Sequence, residues 1–296
     1  MPTGCLDSET RATHAAAARP GACRATAPAH AFLTFPHDPA VTRASRKARR
    51  LLVLINLEAA NVRRARMTAQ LNGQGLAFER LGHDFRGLER GEIGRWYAAH
   101  FPSIGPAPYA LSGAELGCWA SHLSAWARIR ASGAAAGAVL EDDLLLSPDF
   151  GACVRELENG LRGFDLVYLG TSSRNLSRWR VTMAGPLKVH APVGLVLNTW
   201  GYVVSSRWIE RLLACRSIVL TIPVDHFLGG RCRGTPRPRV GVLQPACVHE
   251  DRRTARDSQI QPHTWRPDRL RLVEGARRRF LESRAGDLYY RIYRWL

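Results

Sequence analysis

Three consecutive carboxylates, Glu141-Asp142-Asp143, follow directly on the apolar run Ala138-Val139-Leu140. A short apolar run of this kind reads as a buried strand. Three acids at its carboxyl end repel one another, and burying them unpaired costs desolvation. A positive partner offsets both terms. A hard divalent cation with oxygen ligands, Mn2+ or Mg2+, fits that need, and a phosphorylated substrate often accompanies such an ion. In α/β sheets ligands bind outside the carboxyl ends of the strands, which is where the triplet falls. Residues i and i+2 of a strand point the same way. Either Glu141 and Asp143 share a face, or a turn aims Asp142 and Asp143 together. The competing reading is a solvated acidic turn, and the triplet alone does not choose between them.

Three further constellations carry groups with chemistry. Gly117-Cys118-Trp119-Ala120-Ser121-His122 places a serine beside a histidine. Adjacent residues of a helix do not face each other, so a Ser-His nucleophile pair is disfavoured. Pro223-Val224-Asp225-His226-Phe227 offers Asp225 as a general base, or as a helix N-terminal acid stabilised by the macrodipole. His249-Glu250-Asp251 offers groups able to bind a metal or take a proton, or a polar chain end. No GxGxxG and no Walker motif occurs, which argues against dinucleotide and P-loop chemistry.

The elements that position these groups follow from periodicity. Leu51-Leu52-Val53-Leu54-Ile55-Asn56-Leu57 reads as a central parallel strand. A helix over Val62 to Leu71 stops at Gly73 and Gly75, and a strand over Leu76 to Leu81 completes a β-α-β unit. Residues 83–110, rich in Gly, Pro and aromatics, read as a long loop. Ser112 and Glu115 form a capping-box pattern opening a helix that ends near Gly133. Ser147-Pro148 reads as N-cap and first position of another helix. Asp165 to Gly170 is a strand, and a loop bearing Arg174, Arg178 and Arg180 runs to about residue 198. A strand over Gly201 to Val204, a helix over Arg207 to Ala214, a short helix over Pro223 to Gly229 and a strand over Val240 to Leu243 follow. The pattern predicts an α/β fold with a mixed, mostly parallel sheet flanked by helices.

Composition bounds the partners. The 296 residues carry 42 Lys and Arg against 25 Asp and Glu, a formal charge of +17, almost all of it arginine. Such an excess favours anionic partners: nucleic acid, anionic headgroups or phosphorylated small molecules. A coding bias that writes arginine on tolerant surfaces accounts for it equally well. Residues 1–48, punctuated by Pro20, Pro28, Pro36 and Pro39, read as a disordered or weakly ordered basic extension. Residues 49–252 form the ordered domain. Residues 253–296 form a basic, aromatic-rich helical tail that either docks on an anionic membrane surface or packs on its own domain. Seven widely spaced cysteines without a C-x-x-C suggest neither a zinc ribbon nor a disulfide framework, and fit a reducing compartment. No apolar run approaches the ~18 residues that span a bilayer, and no signal-peptide h-region is evident. The expected location is cytoplasmic, peripheral on the inner face of the membrane.

Taken in order, four blocks resemble glycosyltransferase family 25, the lipopolysaccharide and lipooligosaccharide sugar transferases related to collagen galactosyltransferases. Leu54-Ile55-Asn56-Leu57 with Arg63-Arg64-Ala65-Arg66-Met67 is similar to the family's opening strand and helix. Leu111 to His122, Val139-Leu140-Glu141-Asp142-Asp143, and Pro223 to Leu228 with Gln244-Pro245 are similar to its later blocks. The resemblance covers about residues 50–250. It implies a GT-A-like, Rossmann-type fold and metal-dependent, inverting transfer of a hexose, galactose foremost, from a UDP-sugar. The implied acceptor is a lipid-linked glycan such as lipopolysaccharide core. Asp143, with Glu141 or Asp142 and with His249, would hold the cation. Asn56, Arg63, Glu141 and Asp142 would meet the nucleotide-sugar donor. Asp225 is the first choice for the base, Glu250 or Asp251 the second. His122 would bind a phosphate or brace the acidic loop. The alternatives are a nucleotidyltransferase-like metal enzyme, or a noncatalytic basic nucleic-acid-binding protein. The latter leaves the acidic triplet unexplained, so no nucleic-acid partner is expected.

Overall fold

In the computed structural model, the described residues are 51–251 and 253, without 108, 109, 173–175, 197 and 232–234. The proposed extension 1–48 lies outside them, as does all of the proposed tail except Arg253.

The elements in chain order are β1 (Leu52–Ile55), α1 (Asn61–Gly73), β2 (Glu79–Leu81), α2 (Arg90–His100), β3 (Ile104–Pro106), α3 (Gly113–Ser132), β4 (Ala136–Leu140), β5 (Leu144–Leu146) and α4 (Phe150–Asn159). There follow β6 (Leu166–Tyr168), β7 (Leu176–Ala184), β8 (Leu187–Pro192), β9 (Gly201–Ser205), α5 (Ser206–Leu213), β10 (Ile218–Leu220), α6 (Val224–His226), a π-helical turn (Phe227–Arg231), β11 (Val240–Gln244) and β12 (Val248–Glu250). Eight strands form one sheet in the order β2-β1-β4-β9-β6-β11-β8-β7. Strands β2, β1, β4, β6, β11 and β7 run one way, and β9 and β8 run against them. This is the mixed, mostly parallel sheet that the strand pattern predicts, and it is consistent with the Rossmann-type fold that the resemblance implies.

The continuous apolar strands are explained by two cores, one on each face. Val53, Val139, Leu166, Tyr168, Tyr202 and Val204 pack with α2, α3 and α5. Leu52, Leu54, Ala138, Leu140, Val167 and Val203 pack with α1 and α4. Successive side chains alternate faces, so a strand covered on both sides must be apolar at every position.

Two predicted loops are structured. Residues 83–110 contain α2 and β3. Helix α2 opens on a capping box in which Glu89 and Glu92 exchange backbone bonds, and it packs through Ile93 and Tyr97. Gly91 and Gly94 dilute its sequence signal, because glycine is a poor helix former. Residues 176–192 form the β7–β8 hairpin at the edge of the sheet. Its basic, half-exposed alternation resembles a loop because an edge strand is not buried on both faces. Helix α4 begins two residues later than predicted, with Asp149 rather than Ser147 at the N-cap. The capping box of α3 forms as expected: Ser112 Oγ accepts from Glu115 N at 3.2 Å, Glu115 accepts from Ser112 N at 2.8 Å, and Gly133 closes the helix at φ 72°.

Among the described residues no helix is long and apolar enough to cross a membrane, and Cys118, Cys153, Cys215 and Cys247 are free.

Candidate active site

From β1 the chain pairs β2 on one side and β4 on the other, and the crevice at the carboxyl ends of these strands is where Rossmann-type sheets bind ligands. Ile55, Asn56, Arg63, His83, Asp84, Arg86, Cys118, Ser121 and the whole acidic triplet line a cleft there.

The three carboxylates do not share a face. The strand ends at Leu140, so its alternation does not continue into the bend that follows. Glu141 N donates to Trp200 O at 2.9 Å. Its Oε1 accepts a short bond from Thr199 Oγ1 and lies 3.6 Å from His122 Nε2. Asp142 is tied in the other direction. Asn56, 2% exposed at the end of β1, donates from Nδ2 to Asp142 Oδ2 at 2.7 Å. Arg63, in the first turn of α1, meets Asp142 Oδ1 at 3.2 Å. The same Asn56 amide also donates to Ala60 O at 3.2 Å, which joins the start of α1 to the end of β1.

Asp143 is different. Its Oδ1 is buried and has no hydrogen-bond partner among the described residues. Burial, then the charges of Glu141 and Asp142, raise its pKa to about 7, with Arg63 opposing. A buried acceptor beside two other carboxylates suits a cation better than a proton donor already in place. The oxygen donors of Asp143 therefore fit a hard divalent ion.

The 249–251 cluster reaches the triplet through the main chain. Strand β12 pairs antiparallel with β5, setting Glu250 opposite Leu144, and Asp251 N donates to Asp143 O at 2.8 Å. Asp251 is 3% exposed, forms a short ion pair with Arg66 of α1 and accepts from Arg253 N at 3.0 Å. Its carboxylate is thus already engaged. His249 is exposed, in register with exposed Leu145, and is not among the cleft-lining residues.

Asp225 is the second residue of the short helix α6, with its Oδ1 accepting from His226 N at 2.8 Å. Trp119 of α3 donates from Nε1 to Ile222 O at 2.8 Å and so holds the segment that carries it. Asp225, Glu141 and Glu115 all act on the Cys118 thiol, which burial and then these charges push upward. Asp225 therefore sits within electrostatic reach of the cleft wall.

Of the candidates read from the sequence, the triplet, Asn56 and Arg63 line the cleft, whereas Asp225, His249, Glu250 and Asp251 are not among its lining residues. The sequence pattern did not point to Thr199, or to the way Ser121, His83 and Arg86 shape the cleft. Ser121 Oγ accepts from His83 N at 2.9 Å and donates to Gly117 O at 2.8 Å. Arg86 Nε donates to Asp84 Oδ1 at 2.8 Å and holds that carboxyl below the usual range. The block Leu111 to His122 is thus largely a seat for residues 83–86. Gly117 shows why: a Cβ there would stand 2.6 Å from His83 O and 3.1 Å from Phe85 N. Gly117→Ala is expected to cost about 1–3 kcal/mol by overpacking, read as a lower denaturant midpoint. An unchanged midpoint would refute the close approach.

An acid-lined crevice at the switch point of a Rossmann-type sheet, with Arg63 and Arg86 among its lining, is the place where α/β proteins of this class take their ligands. The chain belongs to glycosyltransferase family 25: the model described as "Glycosyltransferase family 25 (LPS biosynthesis protein)" matches residues 51–228. It is similar to a Danio rerio protein named procollagen galactosyltransferase 1, 28% identical over 185 residues, which span 59% of this chain and 30% of that one. A Drosophila pseudoobscura pseudoobscura protein named glycosyltransferase 25 family member is 31% identical over 185 residues, 60% of this chain and 29% of that one. A Bos taurus protein named probable inactive glycosyltransferase 25 family member 3 is 32% identical over 128 residues, 41% of this chain and 21% of that one. The chain therefore spans less than a third of the length of each of these relatives.

Proposed function

We propose that this domain transfers a hexose, galactose foremost, from a UDP-sugar to a hydroxyl of a lipid-linked glycan such as lipopolysaccharide core, with metal dependence and inversion at the anomeric carbon. The observation that carries the reading is Asp143: a buried carboxylate oxygen with no hydrogen-bond partner among the described residues, beside an Asp142 pinned by Asn56 and Arg63, in a cleft lined by Arg63 and Arg86. The family membership and the relatives named as galactosyltransferases support the class of reaction and the choice of sugar. The charge of +17 supports an anionic acceptor and a peripheral site on an anionic cytoplasmic leaflet.

Asp143 would hold a divalent cation, Mn2+ or Mg2+, with Glu141 or Asp142 assisting. Bound there, the ion supplies charge neutralisation for a departing diphosphate. Asn56 and Arg63 orient Asp142, so the carboxylate keeps one geometry as donor enters. Arg63 and Arg86, which both line the cleft, would place positive charge beside the donor's diphosphate. Asp225 accepts the proton of the acceptor hydroxyl as that oxygen bonds to the anomeric carbon, and the carbon–oxygen bond to the diphosphate breaks. A single carboxylate base on the face opposite the leaving group gives inversion. Glu250 and Asp251 are the second choices for this role; the ion pair of Asp251 with Arg66 makes it the weaker one.

Turnover with UDP-Gal, UDP-Glc, UDP-GlcNAc and UDP-GalNAc, with Mn2+ and with chelator, tests the reading. Metal-dependent release of UDP from one UDP-hexose, UDP-Gal foremost, is expected. Turnover of nucleoside triphosphates without that of any UDP-sugar would favour a nucleotidyltransferase instead. Tight, steeply salt-dependent binding to DNA or RNA would favour the nucleic-acid-binding alternative.

A further inference from the structure

We propose that Cys118, His122 and Glu141 form a second metal site, selective for a zinc-type ion and separate from the hard oxygen donors of Asp143. Cys118 and His122 stand four residues apart on α3 and so share one side of that helix. Glu141 comes to them from the end of β4. One ligand atom of each lies within 4.8 Å of the other two.

The geometry at His122 points to an ion rather than a hydrogen bond. The side chain is 0% exposed, and Nε2 is buried with no hydrogen-bond partner among the described residues. Glu141 Oε1 is 3.6 Å away, too far for a hydrogen bond. Tetrahedral zinc with bonds of about 2.1 Å sets neighbouring nitrogen and oxygen ligands roughly 3.4 Å apart, close to that separation.

The surroundings orient the ligands as a metal site requires. His122 Nδ1 lies 2.7 Å from Tyr202 Oη, which accepts from Trp126 Nε1 at 2.9 Å. With an ion on Nε2, the imidazole proton sits on Nδ1 and is donated to the second lone pair of Tyr202 Oη. Thr199 Oγ1 donates to Glu141 Oε1 and fixes the carboxylate.

Charge and access agree. The Glu141 carboxylate lies beside the Cys118 thiol and the His122 imidazole in a largely buried setting, where a cation offsets its charge. On binding, the Cys118 S–H bond breaks, the proton leaves to solvent and sulfur bonds the ion. The thiolate and the Glu141 carboxylate then balance a divalent charge. Cys118 and Glu141 both line the cleft, so the ion enters from it and its fourth position faces it. A thiolate and an imidazole favour zinc or cobalt over magnesium or manganese, and the carboxylates of Asp142 and Asp143 favour the reverse.

The test is Co2+ titration of the full chain after chelator treatment. Wild type is expected to bind one equivalent with a thiolate-to-cobalt charge-transfer band in the near ultraviolet, abolished by Zn2+. C118S and H122Q should lose the band; C215S and D143N should keep it. In wild type, Zn2+ should also protect Cys118 from alkylation, mapped by mass spectrometry, which requires no variant. A wild-type protein without the band, a C118S protein with an undiminished one, or unprotected Cys118 would overturn the proposal. Retention of the band in D143N separates this site from the sugar-transfer reading, whichever way that reading turns out.

Discussion

Replacing Asp143 with asparagine is expected to abolish metal-dependent sugar transfer and, in the same protein freed of metal, to raise stability. Loss of the cation's charge stabilisation is worth several kcal/mol in the transition state, a fall in turnover of about 10²–10⁴-fold. The stability gain has a different origin. Burial and the neighbouring Glu141 and Asp142 raise the folded-state pKa of Asp143 to about 7, whereas an unfolded aspartate titrates near 4. Between those values the folded protein holds a proton that the unfolded chain has lost. Stability therefore falls as pH rises from about 4 to about 7, and the full penalty is present above 7. Asparagine carries no such penalty. In chelator, D143N should be more stable than wild type by about 2 kcal/mol at pH 8, less than the full linkage value because the site is open to the cleft, and should show little difference at pH 4. Denaturant midpoints at the two pH values measure this. An equal effect at both would mean that Asp143 is not held in a desolvated, like-charged site.

The second large effect is at Asp225. Asp225→Asn preserves shape and removes the basic oxygen, so turnover should fall by about 10²–10⁴-fold, while the KM for the UDP-sugar changes little. Asp251→Asn separates a base from a brace. Asp251 is buried and ion-paired with Arg66, so its replacement should lower stability first and activity in proportion. If D225N transfers sugar at the wild-type rate and Glu250→Gln does not, the base is Glu250 on β12.

The legible parts of this chain are those where one residue type has one physical outcome. The run Leu51 to Ile55 reads as a strand covered on both faces because none of its positions is polar, and Leu52, Val53 and Leu54 alternate between the two cores. Ser112 and Glu115 read as a helix start because each satisfies a backbone group that the first turn leaves open. Helix α2 was hidden because its apolar signal reduces to Ile93 and Tyr97, with Gly91 and Gly94 between and before them. The β7–β8 hairpin was hidden because edge strands carry charge. The pairing of β8 with β11 is a long-range contact that local pattern does not encode.

At the site, the residue types bring three acids to the end of an apolar strand, with arginines in the chain and no phosphate loop. That much is determined by sequence, because like charges crowded at one strand end need either a positive partner or full solvation. Which acid does what was decided only in three dimensions. Asn56 and Arg63 reach Asp142 across 86 and 79 residues, and Thr199 reaches Glu141 across 58. Each donor occupies one lone pair of a carboxylate oxygen and fixes that group's direction, whereas Asp143 Oδ1 is buried with no hydrogen-bond partner among the described residues. The pairing of Glu141 with Cys118 and His122 has the same origin. Spacing put the thiol and imidazole on one side of a helix, but only the packing of α3 against the end of β4 brought a carboxylate to them.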